Sequence, residues 1–397
     1  RADATGRRFA DALIERARAG VRVRVLTDWI GSVSTRASYW RRLREAGISV
    51  RKFNPPQLLR LRRNLTRDHR KILVVDGKTA ITGGLCIGDE WAGRPTGGRQ
   101  PWRDSAVMIE GPAAAAMDRA FDGVWRTIGP ALEEDELLSD APVQGSSAIR
   151  VVAGEPGGVR ASRATELLLA GAAERIWITD AYLVAPPGIY QSMLDAARGG
   201  VDVRLLVPGT SDLKHVRNWT RMSYRDMLRV GIRIYEWRGA MLHAKTIVVD
   251  GRWVRVGSSN LNLSSLVANY EIDVVADDPG LAQIMEAQFR RDTDRSSEIR
   301  LRTEPRRGFL RPRNIFEPEP VLDAPSHRPG LRERRGRAVV AVQHMLHGAR
   351  RTVLLPYSIV LTVIGVLFLS FPRTMGVIFA VMSLWLALTA WLDSRSP

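Results

Sequence analysis

The chain has 397 residues and a formal net charge of +17, with 59 Lys and Arg against 42 Asp and Glu. That length allows a large core in two domains, and the charge favours anionic partners: nucleic acid, acidic lipid or phosphate-bearing substrates. Its single cysteine, Cys86, excludes an intrachain disulfide.

In chain order the sequence reads as a repeat. An apolar-periodic helix, "FADALIERAR", precedes the strand "AGVRVRVLTD" (19–28). A second helix leads to the strand "AGISVRKF" (46–53), and an insertion, "NPPQLLRLRRNLTRD", carries four arginines. Next comes "RDHRKILVVDG" (67–77), an alternating strand that ends in an Asp-Gly turn. The second half repeats this order. "YQSMLDAAR" precedes "GGVDVRLLVP" (199–208), then come "VGIRIYEW" (230–237) and "MLHAKTIVVDG" (241–251). Between them "SDLKHVRNW" opens a helix, where Lys214 and His215 are either a headgroup contact or a solvated helix start. Helices alternating with short β-branched strands predict two α/β lobes, residues 1–145 and 146–297. The strand "RIWITDAYLV" (175–184) has no counterpart in the first half, so the first lobe is expected to lack its first strand.

Beyond the repeat, residues 298–350 read as a Pro- and Arg-rich linker and a juxtamembrane helix, with eleven Arg between Arg306 and Arg351. Two apolar runs follow, Val353–Phe371 and Met375–Leu392, separated by "PRT". Their length and lack of charge predict a transmembrane helical hairpin over 351–394. The basic flank puts the globular part on the cytoplasmic side of a cell membrane, making the C-terminus multi-pass.

Both halves carry His-x-Lys-x4-Asp: His69, Lys71 and Asp76, then His243, Lys245 and Asp250. Only five Lys and six His exist in the chain, so two matches at equivalent places point to chemistry. Residues i and i+2 of a strand share a face, so each His and Lys point the same way. The Asp falls at the turn with the opposite parity, which suits a structural part in the motif. Six residues after each Asp come "GGLC" (Gly83, Gly84) and "GSSN" (Ser258, Asn260), small and polar residues suited to binding phosphate oxygens. Two imidazoles suit a two-step displacement at phosphorus, one attacking and one handling protons. Asp104 in "WRD" and Glu271 in "NYEID", 35 and 28 residues past the two His, are candidates to orient the rings. No cluster has metal-ligand spacing, so neither metal nor cofactor is expected.

These residues resemble the paired HKD motifs of the phospholipase D superfamily, over roughly residues 1 to 297. "DHRKILVVDGKTAITGGLCIGDEW" with the later "WRD" is similar to the bacterial cardiolipin synthase branch. The resemblance implies two lobes related by a pseudo-twofold axis, with one active site where the motifs meet. It implies His69 as nucleophile and His243 as general acid and base. It also implies a phosphatidyltransferase that condenses two phosphatidylglycerols and releases glycerol, acting on anionic phospholipid at a bacterial membrane. Where the family commonly carries Asn, this chain has Cys86, a weak donor. The motifs alone do not separate transfer to an alcohol from phospholipase D hydrolysis. A nuclease is disfavoured by the hairpin and by the lack of an aromatic-basic platform for bases. A non-catalytic membrane protein is disfavoured by the intact His and Lys of both halves. The oligomeric state is left open.

Overall fold

The computed structural model describes residues 1–55, 66–92, 100–137 and 141–301. Contacts divide the chain into Arg1–Pro318 and Glu319–Pro397. The expected hairpin, the juxtamembrane helix and most of the basic insertion lie outside the described residues. Among those described, no helix is long and apolar enough to cross a membrane.

The second half is built on an eight-stranded sheet in the order β13-β9-β8-β7-β10-β11-β12-β6. Its strands are β6 (Ala148–Gly154), β7 (Arg175–Thr179), β8 (Asp202–Pro208), β9 (Arg233–Trp237), β10 (Thr246–Val249), β11 (Trp253–Gly257), β12 (Glu271–Asp277) and β13 (Ser296–Ile299). The strands β7, β8 and β9 run parallel, and β10 returns antiparallel with Thr246 opposite Thr179. Alternation along β7 sends Ile176 and Ile178 to one face and Trp177 to the other. The helices α4 (Arg160–Ala170), α5 (Pro187–Arg198) and α6 (Lys214–Arg229) cover the first face through Leu169, Met193 and Tyr224. Phe289 of α7 (Pro279–Asp294) covers the other, stacked on Trp177.

In the first half, β1 (Arg24–Asp28) pairs in parallel with β2 (Ser49–Phe53), below α1 (Ala4–Arg18) and α2 (Ala37–Glu45). Asp3 caps α1 by accepting the Gly6 N–H, which satisfies an otherwise unpaired amide of the first turn. A separate antiparallel sheet holds β3 (Ile72–Val75), β4 (Thr79–Gly83) and β5 (Ala106–Glu110), followed by α3 (Pro112–Trp125). These strands correspond to β10, β11 and β12; β3 and β4 equal β10 and β11 in length, and β12 is two residues longer than β5. Asp76 and Gly77, like Asp250 and Gly251, all have positive φ, and the Lys78 and Arg252 N–H groups close these turns onto the Val75 and Val249 carbonyls at 3.0 Å, as in a type I′ turn. Among the described residues no strand joins β1 to β3 as β7 joins β8 to β10. The first-half strands therefore form two separate sheets.

The halves share a core. Ala80, Ile109 and Met117 of the first pack on Ile272 and Val274 of the second. This contact brings the start of β3 beside the start of β12.

Candidate active site

Each His-x-Lys segment lies just before a strand, at the edge where β7 and β8 end and β10 starts. Short parallel bridges stitch these segments across the halves. The His69 N–H donates to the Tyr270 carbonyl at 2.9 Å, and the Tyr270 N–H to the Arg67 carbonyl at 2.8 Å. The His243 N–H donates to the Arg103 carbonyl at 2.7 Å, and the Arg103 N–H to the Met241 carbonyl at 2.7 Å. The residue after each bridging partner is a carboxylate. Glu271 thus lies under His69, with both oxygens 2.9 Å from Nδ1. Asp104 lies under His243, with Oδ2 2.8 Å from Nδ1. Each imidazole is oriented by the opposite half, which its own motif's spacing does not reveal.

The carboxylates are themselves held. Asp104 accepts N–H groups from Trp91 Nε1 and Ser105, both at 2.8 Å. Burial alone would raise its pKa, but His243 and the charge of Lys245 outweigh that and hold it below the usual range. Glu271 is fully buried and likewise stays below its ordinary value, because His69, Lys71 and the Ser258 hydroxyl overcome desolvation. An ionised carboxylate on Nδ1 keeps the proton there and leaves Nε2 bare. Burial, with the charge of Lys245, lowers His243 to about 3. Burial and Lys71 lower His69 against the pull of Glu271. Both shifts favour the neutral ring. His69 is the more open, with 30% of its side chain exposed against 6% for His243.

The lysines mirror each other. Lys71 Nζ donates to the His69 carbonyl at 2.6 Å, and Lys245 Nζ donates to the His243 carbonyl. Burial first, then Lys71, lowers Lys245 to about 8. The spare N–H groups of two ammoniums facing one cleft suit an anion.

The small residues predicted to bind phosphate serve differently. The Gly84 N–H is taken by the Ser105 carbonyl, and the Ser258 N–H by the Ile272 carbonyl. A Cβ at Gly84 would collide with the Asp104 carboxylate, and one at Gly83 with the Ser105 backbone. Both glycines let β5 deliver Asp104. The Ser258 hydroxyl donates to Glu271 and accepts the Ile272 N–H at 2.9 Å, so it supports the carboxylate. Asn260 is buried, its Nδ2 3.4 Å from Ser265 Oγ and its Oδ1 without a partner. It remains the neutral group with capacity for a ligand. Cys86 is partly buried and makes only a 3.8 Å contact to the Gly84 carbonyl.

Asp76 and Asp250 do not reach the cluster. They occupy the hairpin turns at the far ends of β3 and β10. Asp250 accepts the Ala173, Glu174 and Arg175 N–H groups, each at 2.8 Å, and so fixes the start of β7. Asp76 is exposed and makes no side-chain hydrogen bond among the described residues.

Sequence reasoning missed an aromatic wall around His243. Trp91, Trp102 and Tyr182 rings lie 5.4, 5.5 and 5.9 Å from the imidazole. It also missed Asp180, buried beside Lys245 and raised to about 6 by desolvation against two backbone N–H groups. Arg70, between the motif His and Lys, was missed too. Its guanidinium donates to the carbonyls of Glu271 at 3.0 Å, Ala120 at 2.6 Å and Gly154 at 2.9 Å. Parity was the available signal for Arg70: it must face away from the cleft, into the other half. Among the described residues no three His, Cys, Asp or Glu are grouped to hold a metal.

The profile of the family described as "Cardiolipin synthase, PLD-like domain" matches residues 3–125 and 167–293, more than half of the chain. The chain belongs to the phospholipase D-like cardiolipin synthase family. It is similar to the cardiolipin synthase of Geobacillus kaustophilus, 34% identical over 284 residues that cover 69% of this chain and 55% of that one. It is also similar to cardiolipin synthase 2 of Bacillus anthracis, 31% identical over 305 residues, 75% of this chain and 59% of that one. The chain thus spans little more than half the length of these curated relatives. Among solved structures, the phosphatidylserine synthase of Haemophilus influenzae shares the fold, with a TM-score of 0.51 and 14% identity over 74% of this chain and 86% of that one. The matched stretches contain both His-x-Lys segments, whose His69, Lys71, His243 and Lys245 lie close enough to act on one another electrostatically.

Proposed function

We propose that the protein is a membrane-anchored phosphatidyltransferase that condenses two phosphatidylglycerols into cardiolipin and releases glycerol. The observation that carries this reading is the crossed pair of His–carboxylate dyads flanked by two lysines. It supplies two imidazoles with bare Nε2 atoms on one anion-binding cleft. The names of the similar proteins support the lipid substrate.

His69, the more exposed ring, attacks the phosphodiester phosphorus through Nε2. The bond from phosphorus to the glycerol oxygen breaks as His243 donates a proton to that oxygen. An arriving phosphodiester anion raises the proton affinity of His243, so the ring takes up a proton from water on Nε2 and becomes the acid. The phosphatidyl group now sits on His69. The hydroxyl of a second phosphatidylglycerol gives its proton to His243 and attacks phosphorus. The P–N bond breaks and His69 is restored. Lys71 and Lys245 stabilise the non-bridging oxygens as charge builds, and Asn260 adds a neutral contact. Glu271 and Asp104 hold the tautomers through both steps.

The test is to incubate the full chain with phosphatidylglycerol vesicles and separate the products. Cardiolipin with an equivalent of glycerol is expected, and both are lost in His69→Ala and His243→Ala. Phosphatidic acid in place of cardiolipin would make water the acceptor and the enzyme a phospholipase. No turnover would remove the lipid reading.

A further inference from the structure

The edge that carries the catalytic side chains is also where large apolar residues stand in solvent. Leu85 and Ile87 follow β4, Leu213 follows β8 and Leu263 follows β11, all exposed. These strand ends belong to the same edge, since β3 and β10 begin there. The helix α6 starts one residue beyond Leu213. It shows Trp219 and Met222, 54% and 55% exposed, three residues apart on one face. Exposed Lys214 and Arg225 flank them, with exposed Asp226 beside Arg225.

This face is tied to the cleft. The Thr220 hydroxyl donates to the Leu183 carbonyl at 2.7 Å, and the Tyr182 hydroxyl to Asp212 at 2.8 Å. The Tyr182 ring is 5.7 Å from Lys245 Nζ and meets the His243 ring edge-on. Trp, Leu and Met among Lys and Arg are the composition of a surface that sits in a lipid headgroup layer. A formal charge of +17 selects an anionic one. A protein seated here would cover the mouth of the cleft, whereas a bilayer would present headgroups to it.

We propose that the exposed face of α6, with the apolar strand-end loops, is the surface by which the protein docks on an anionic bilayer. The proposal rests on the lipid-substrate reading and adds the face and orientation of contact.

The experiment uses the full chain in a Cys86→Ser background, with an environment-sensitive fluorophore on Trp219→Cys or on Arg252→Cys. Arg252 lies in the β10–β11 turn at the opposite edge. Each protein is reconstituted in phosphatidylglycerol–phosphatidylcholine vesicles, in phosphatidylcholine vesicles and in detergent. The expected result is a blue shift and a several-fold loss of iodide quenching at position 219 with phosphatidylglycerol, less with phosphatidylcholine alone, and no change at 252. Equal quenching of position 219 in vesicles and detergent would overturn the proposal, because the face would then be free or covered by protein. Equal protection at 252 would also overturn it. Adding His69→Ala keeps the protection at 219. Docking without phosphatidylglycerol turnover by the wild type would remove the catalytic reading alone. Turnover with position 219 open to iodide would remove the docking surface alone.

Discussion

Replacing Asp104 by Asn leaves shape almost unchanged and tests whether His243 is the proton carrier. The carboxylate accepts three N–H groups, from His243, Trp91 and Ser105, each at 2.8 Å. An amide has one acceptor oxygen. If that oxygen faces His243 and Trp91, the NH2 meets the Ser105 N–H. If it faces Ser105, the NH2 meets the Trp91 N–H and forces His243 into the other tautomer. One buried donor is left unpaired either way, which costs about 1–3 kcal/mol of stability. Losing the charge that stabilises the imidazolium should lower turnover by about 10²- to 10⁴-fold. KM should change little, because Asp104 faces the ring and not the phosphate. The assay is steady-state cardiolipin formation, with circular dichroism to confirm the fold. A second substrate, a phosphatidyl ester of p-nitrophenol, carries a leaving group that needs no proton. It should restore the first step in Asp104→Asn, seen as a nitrophenol burst, and leave the defect of Glu271→Gln intact. A variant within fivefold of wild type on phosphatidylglycerol would refute the assignment, and rescue of Glu271→Gln instead would exchange the roles of the two histidines.

Other outcomes follow from the same geometry. Lys245 is lowered from its ordinary value to about 8, so it is charged below that pH and neutral above it. The pH profile of kcat/KM should therefore fall as pH rises past about 8, and Lys245→Arg should move the fall to higher pH. Asp250→Ala removes an acceptor from three N–H groups and should cost about 2–3 kcal/mol in denaturant unfolding, with turnover per folded molecule retained. Asp76→Ala should cost about 1 kcal/mol, because Ala tolerates the positive φ at this turn less well than Asp. Arg70→Gln releases three buried carbonyls, one of them that of Glu271. It should cost about 3 kcal/mol and lower turnover in the protein that remains folded, measured by unfolding and by activity after refolding.

Much of this was legible in the residues. Rare His and Lys recurring at one spacing singled out the two segments that the structure brings together, and period-2 alternation put each pair on one face. Opposite parity placed Asp76 and Asp250 outside it, and both lie in the turns. Other readings went astray for a local reason. "GGLC" and "GSSN" look like phosphate loops because Gly, Ser and Asn suit one. Yet the Gly84 and Ser258 amides already bond the strand start beside them, and the Ser258 hydroxyl bonds Glu271.

Spacing along one chain determined which side chains share a face, because strand geometry repeats every two residues. Only tertiary structure decided which carboxylate serves which histidine. The bridges from Asp68 to Tyr270 and from Arg103 to Leu242 join segments far apart in sequence. Their register is set by packing between the halves, where Ile272 and Val274 meet Ala80 and Met117. No local periodicity encodes that contact, so the crossing of Asp104 and Glu271 appears only once both halves share a core.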